Sequence, residues 1–258
     1  MTGPDELSGL AEQAGLATAS IVLQQLDGRA RVSSLEPERA IYPASMIKLP
    51  IALALAVRCA AGDLDWSQPA LVSQQNLTAN DAPSPFVAGY RATLEQLCFE
   101  MLSASDNVAT NVLIDVLGRE RIGPACRPFG LRATEVRRKL SGALPLIDDR
   151  GATGRNSHPA GDAAAVLHAI ANGTAPASAR LQAALRAQRW NGKLSQGWLA
   201  GDAFAHKTGD TDEVSHDGGI LELAGGRRFI LVVYTPLPAN PENDAKFAAF
   251  ARALRPRL

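Results

Sequence analysis

Residues 45–62 read SMIKLPIALALAVRCAAG, a stretch that is apolar on every face of the helix its residues favour. Such a helix cannot lie on a surface, so the rest of the chain has to supply layers around it. At 258 residues, 46% of them hydrophobic, the chain is long enough to do so. Gly62 is the expected stop, and Pro50 predicts a kink or a late helix start. Neither this stretch nor any other reaches the roughly 18 apolar residues that a membrane span needs, so no membrane partner is expected.

The enclosing elements can be read in order. Leu7, Leu10 and Ala11 sit at helical spacing, and ASIVLQQLDGRARVSSLE predicts two strands joined at Asp27-Gly28. Residues 66–93 carry the turn formers Asn76, Asn80, Asp81, Pro83 and Pro85 and predict a loop with little regular structure. Leu94, Leu97, Cys98, Met101 and Leu102 predict one helix; Val108, Val112, Leu113, Val116 and Leu117 predict another that ends at Gly118, with SASDN as the joint. Residues 132–161 are polar and turn-rich, and DAAAVLHAIANG reads as a capped helix. DAFAHKTGD, HDGGILELAG and RRFILVVYTP predict three strands, and NDAKFAAFARALRPRL predicts a closing amphipathic helix.

Strands at both ends with helices between them predict an α/β chain of the α+β type, whose antiparallel sheet is completed by both termini. We expect one domain, 1–258, with residues 1–42 and about 190–258 forming the sheet portion and about 43–189 an inserted helical portion. The 26 basic and 26 acidic residues balance, which argues against nucleic acid and for a small-molecule partner. Cys59, Cys98 and Cys126 are odd in number and lack metal-ligand spacing, so reduced, mostly buried thiols are expected. The N-terminus has no basic start followed by an apolar run, which predicts a cytoplasmic location.

Only five of the basic residues are lysines, which makes each position informative. Lys48 lies three residues after Ser45, so on a helix the amine reaches the hydroxyl; a charged lysine in so apolar a setting is costly and tends to be neutralised or paired. The plain alternative is a snorkelling lysine and a capping serine. Ser105-Asp106-Asn107 could likewise be no more than a helix cap. In HKTGD, Lys207 and Thr208 stand at a strand end beside Gly209, where backbone can approach a ligand closely, and the exposed position predicts that Lys207 keeps its charge. His206, His216 and Asp217 lie on neighbouring strands, where a structural role outweighs a metal site, and no metal is expected.

S-x-x-K, S-D-N and K-T-G, in that order, form the motif set of the class A β-lactamases and the related penicillin-binding proteins, and this chain resembles that superfamily over most of its length. Ser105 follows Ser45 by 60 residues and Lys207 follows Lys48 by 159, both close to class A spacing. The resemblance implies a β-lactamase/transpeptidase-like fold and no cofactor. It implies that Ser45 attacks a lactam, amide or ester carbonyl with Lys48 as base, and that Ser105 relays a proton to the leaving nitrogen. Asn107, Lys207 and Thr208 would bind substrate, Gly209 would keep the strand edge open, and the backbone N–H groups of Ser45 and Asp210 would form an oxyanion hole.

Two departures qualify this. The family's deacylating glutamate precedes a G-R-x-N stretch; aligning on Arg155, Asn156 and Pro159 puts Ser141 there, and no glutamate lies between Glu135 and Glu213. Asp148 and Asp149 are the nearest carboxylates and read as a solvated turn. In place of the arginine that many class A enzymes carry on the strand after K-T-G stand His216, Asp217 and Gly218, while Asp210, Asp212 and Glu213 predict an acidic rim that disfavours anionic ligands. The expected function is that of a serine acyl hydrolase forming an acyl-enzyme at Ser45, either hydrolysing a β-lactam with slow deacylation or hydrolysing a cytoplasmic amide or ester. The alternatives are a D-alanyl peptidase relative and a non-catalytic ligand binder.

Overall fold

The computed structural model describes residues 3–28, 31–143 and 145–258. Helix α1 (Pro4–Gln13) leads into strands β1 (Ser20–Gln25) and β2 (Arg31–Leu35), and the chain returns to the sheet as β5 (Ala203–Asp210), β6 (Ser215–Glu222) and β7 (Arg228–Thr235) before the closing helix α8 (Pro241–Leu254). The order across the sheet is β2-β1-β7-β6-β5, antiparallel throughout, so strands from the two ends of the chain pair at β1 and β7, with Val22 opposite Val232. The expected sheet is therefore present. The hairpin between β1 and β2 is also formed, although residues 29 and 30 of its turn lie outside the described set.

Alternation along the strands sends side chains to two separate cores. Ile21, Leu23, Phe229, Leu231 and Val233 face α1 and α8, where they meet Leu7, Leu10, Phe247 and Phe250. Val22, Ile230, Val232 and Tyr234 face the other way, into a larger core shared with the helices of the middle of the chain. At its centre is α2 (Lys48–Ala60), buried from Lys48 to Ala56, as its uniformly apolar sequence demands. A 3₁₀ turn, Ala44–Ile47, precedes it, so the α-helix starts after Ser45; Pro50 falls in the first helical turn, where its missing N–H has no intrahelical partner to lose.

Around α2 pack α3 (Leu94–Ser103), α4 (Asn107–Leu117), α5 (Arg119–Cys126), α6 (Ala160–Ala171) and α7 (Ser178–Arg186). The predicted loop at 66–93 contains a short antiparallel pair, β3 (Pro69–Leu71) with β4 (Arg91–Thr93), too brief to show a period in sequence. Helices α5 and α7 are additions to the predicted elements. Helix α6 also corrects an expectation: it starts at Ala160, and Asp162 caps nothing in its own helix. The buried Asp162 carboxylate accepts from the N–H groups of Arg132 and Ala133 and from the Thr134 hydroxyl, tying a neighbouring segment down. The three cysteines are free thiols, and burial pushes Cys98 and Cys126 up to about 12. No helix among the described residues is long and apolar enough to cross a membrane.

Candidate active site

Three separate elements bring the motif residues to one cleft of about 250 Å³, lined by Ser45, Ser105, Thr208, Asp210 and Trp190 among others. The 3₁₀ turn makes the first contact. With three residues per turn, positions i and i+3 eclipse, and Lys48 Nζ lies 2.9 Å from Ser45 Oγ. The second element is the α3–α4 joint, where the two readings of S-D-N divide between residues. Asp106 is the cap of α4, accepting from Ala109 N–H at 2.7 Å, which leaves Ser105 and Asn107 free to face Lys48. Edge strand β5 is the third. A Cβ on Gly209 would sit 3.1 Å from both Pro43 O and Met46 Cγ, so this position holds a glycine because the strand runs against the Ser45 turn.

Ala44 and Ser105 have φ of +45° and +61°, left-handed conformations that non-glycine residues rarely adopt. Two of the four such residues among those described thus flank the proposed nucleophile and supply the second serine.

Lys48 is fully buried. Its Nζ is 2.6 Å from Ser105 O and 2.8 Å from Asn107 Oδ1, two atoms that can only accept; the Asn107 orientation is fixed by its Nδ2 donating to Ala79 O. A neutral amine has two N–H bonds and satisfies both acceptors, which leaves its single lone pair to accept from one hydroxyl, that of Ser45 or that of Ser105, each 2.9 Å away. Burial, then the charge of Lys207, holds the Lys48 pKa well below that of ordinary lysine.

Lys207 departs from its expected exposed position and is fully buried. Its Nζ donates to Ser105 Oγ and Thr208 O, both at 2.9 Å. Burial brings its pKa down to about 7, against the opposing pull of Asp210.

The acidic rim is also partly corrected. Asp210 is ion-paired with the buried Lys193, whose Nζ also donates to His216 O, and Glu213 is paired with Arg155 at 2.8 Å. Of the three rim acids, Asp212 alone has no basic partner among the described residues. Asp81 and Asp244, which sequence reasoning missed, supply further carboxylates to the cleft lining. Nothing marked Asp81 in a turn-rich segment, but the scarcity of lysine could have singled out Lys193.

His206 and His216 lie on opposite faces of the sheet and do not converge. His206 pairs with Asp217 at 2.7 Å, while His216 stacks on Tyr234 and its Nε2 faces Tyr42 O. Burial first of all brings the pKa of His216 down to about 4.

In the loop 137–156, Gly142 N–H donates to Thr78 Oγ1. Asn156 staples its neck by accepting from the N–H groups of Arg137 and Arg138. Ser141 Oγ accepts from Ile147 N–H. Asp149 turns inward, contrary to the solvated reading, but into a two-pronged pair with Arg119 at 2.6 and 2.9 Å, while Asp148 stays 81% exposed. Burial alone would raise the Asp149 pKa, yet Arg119 and the N–H groups of Lys139 and Gly151 hold it below the usual carboxylate range. Neither residue lines the Ser45 cleft.

Over residues 5–257 the chain matches the family described as the beta-lactamase enzyme family. It is 25% identical to the β-lactamase regulatory protein BlaB of Streptomyces cacaoi, across 98% of this chain and 96% of that protein. Among solved structures, a PBP-A variant in acyl-enzyme complex with penicillin G superposes with a TM-score of 0.82 at 23% identity, covering 97% of this chain and 96% of that one. A β-lactamase from Sphaerobacter thermophilus gives 0.82 at 20% identity, covering 99% and 97%. Both likenesses establish the fold, which is the β-lactamase-like fold expected from the motifs.

Proposed function

The chain belongs to the beta-lactamase enzyme family, and from that membership we propose that it is a serine acyl hydrolase that forms an acyl-enzyme at Ser45 and releases it slowly. In the first half-reaction Ser45 Oγ adds to the carbonyl carbon of a β-lactam, amide or ester while its proton passes to the Lys48 amine. The C–N or C–O bond then breaks, and the leaving atom takes a proton relayed through Ser105. Asn107, Lys207 and Thr208 hold the substrate, and the N–H groups of Ser45 and Asp210 stabilise the oxyanion. Water must then attack the ester, and the chain has no glutamate between Glu135 and Glu213 to activate it.

The observation that carries this reading is the environment of Lys48 Nζ. Two obligate acceptors take the protons of a neutral amine and leave its lone pair 2.9 Å from Ser45 Oγ. A surface lysine would have no such arrangement, and a protein that only binds its ligand has no use for it. The similarity to a regulatory protein favours a second reading, in which the same acylation serves to sense a ligand.

Intact-mass measurement after exposure to benzylpenicillin and to p-nitrophenyl acetate tests the proposal. A stoichiometric adduct that disappears in Ser45→Ala supports it; an adduct that persists in the folded variant, or no adduct with either reagent, defeats it.

A further inference from the structure

A second cleft, of about 450 Å³, lies between α5 and residues 131–137 and shares no lining residue with the Ser45 cleft. Its lining includes Gly123, Pro124, Leu131 and Val136, together with four arginines: Arg119, Arg127, Arg132 and Arg137. Two of these are committed to carboxylates, Arg119 to Asp149 and Arg137 to Glu135. Arg127 and Arg132 are exposed and have no acidic partner among the described residues. The remaining acid, Glu120, has Arg121 as its own cation at 3.9 Å. The cleft therefore combines two uncommitted guanidinium groups with apolar lining.

The walls are locked before any ligand arrives. A Cβ on Gly123 would stand 2.6 Å from Thr134 O, so α5 and residues 131–134 meet at backbone contact. The buried Asp162 carboxylate pins the same segment through Arg132 N–H, Ala133 N–H and the Thr134 hydroxyl, at 3.0, 2.9 and 2.7 Å. Arg127 is held at the other end by the turn that follows α5. The volume falls within the roughly 300–1,000 Å³ typical of small-molecule sites, and guanidinium groups match carboxylate and phosphate oxygens two at a time.

We propose that this cleft binds a small organic anion, a carboxylate or phosphate ester carried on an apolar body, with Arg127 and Arg132 holding the charged end. The binding is independent of acyl transfer at Ser45.

The test uses the full chain and 1-anilinonaphthalene-8-sulfonate, an apolar anion that fluoresces on leaving water. Saturable one-site binding is expected, weakened about tenfold or more in Arg127→Glu/Arg132→Glu, the loss of two charged hydrogen-bonding partners. Displacement by phenyl phosphate or benzoate, but not by benzyl alcohol, is the expected pattern, and the stronger competitor identifies the preferred head group. Should the charge reversal compromise folding, checked by thermal unfolding, Arg127→Gln/Arg132→Gln gives the same comparison. Absence of saturable binding, equal affinity in a folded double variant, or equal displacement by all three competitors overturns the proposal.

Discussion

Lys48 and Lys207 share one hydroxyl: the Nζ atoms of both lie 2.9 Å from Ser105 Oγ. Two buried amines this close cannot both hold a charge cheaply, and each favours the neutral form of the other. Burial, and then the charge of Lys207, holds Lys48 well below ordinary lysine, and burial brings Lys207 down to about 7. The titration belongs to the pair.

Acylation should therefore depend on pH in two ways. Its rate rises as Lys48 loses its proton, well below the pKa of free lysine. Lys207 is charged below about pH 7 and neutral above it, so KM for a substrate carrying a carboxylate should increase as pH passes that value, while KM for an uncharged ester stays flat. Parallel profiles for the two substrates would show that Lys207 does not bind the anion.

The same depression has a consequence for stability. In the unfolded chain Lys207 binds a proton up to about pH 10.4, whereas in the folded chain it releases it near pH 7, so the unfolded state binds more protons between these values and stability increases with pH. The slope is at most about 1.4 kcal/mol per pH unit for one group. The window to use is pH 7 to about 8.5, above the range of His158 and His216, both held near 4, and below that in which the raised Cys98 and Cys126 act in the opposite sense; Lys48, also held well below ordinary lysine, adds a rise of the same sign there. Urea unfolding across that window should show the rise in the unmodified protein and a weaker one in Lys207→Met. An identical slope in the variant would place the linkage elsewhere.

Asp148 and Asp149 should separate by stability and leave chemistry untouched. Asp149→Asn removes the charged partner of Arg119 and should cost about 1–3 kcal/mol, whereas Asp148→Asn, at an exposed pair, should cost less than about 1 kcal/mol. Neither change should alter the rate of acyl-enzyme decay. A large fall in that rate for Asp149→Asn would mean that the loop delivers this carboxylate to the ester after all.

These contrasts show where sequence could and could not lead. Contacts made within one element were legible: the Ser45–Lys48 spacing, the enclosed α2, and the alternation that builds the sheet. The three motifs located the cleft because each is a short run with its own chemistry. What sequence could not show depends on partners far along the chain. Asp149 looked like half of a solvated acidic pair because Arg119 is 30 residues away. Lys207 looked exposed because its cover comes from Ser105 and the Ser45 turn, and Asp210 looked like an uncompensated charge until Lys193 reached it. β3 and β4 are three residues each, too short for a pattern of period two to register.

The central claim is that Ser45 is acylated efficiently and released poorly, and rapid-quench measurement of benzylpenicillin turnover, with intact mass taken at each time point, tests it most directly. A positioned general base contributes about 10²- to 10⁴-fold, so its absence from the second half-reaction alone should let the intermediate accumulate. The account predicts a burst close to one equivalent, a mass adduct on Ser45 that outlives the burst, and slow turnover afterwards; fast hydrolysis without a burst and without a detectable adduct would contradict it.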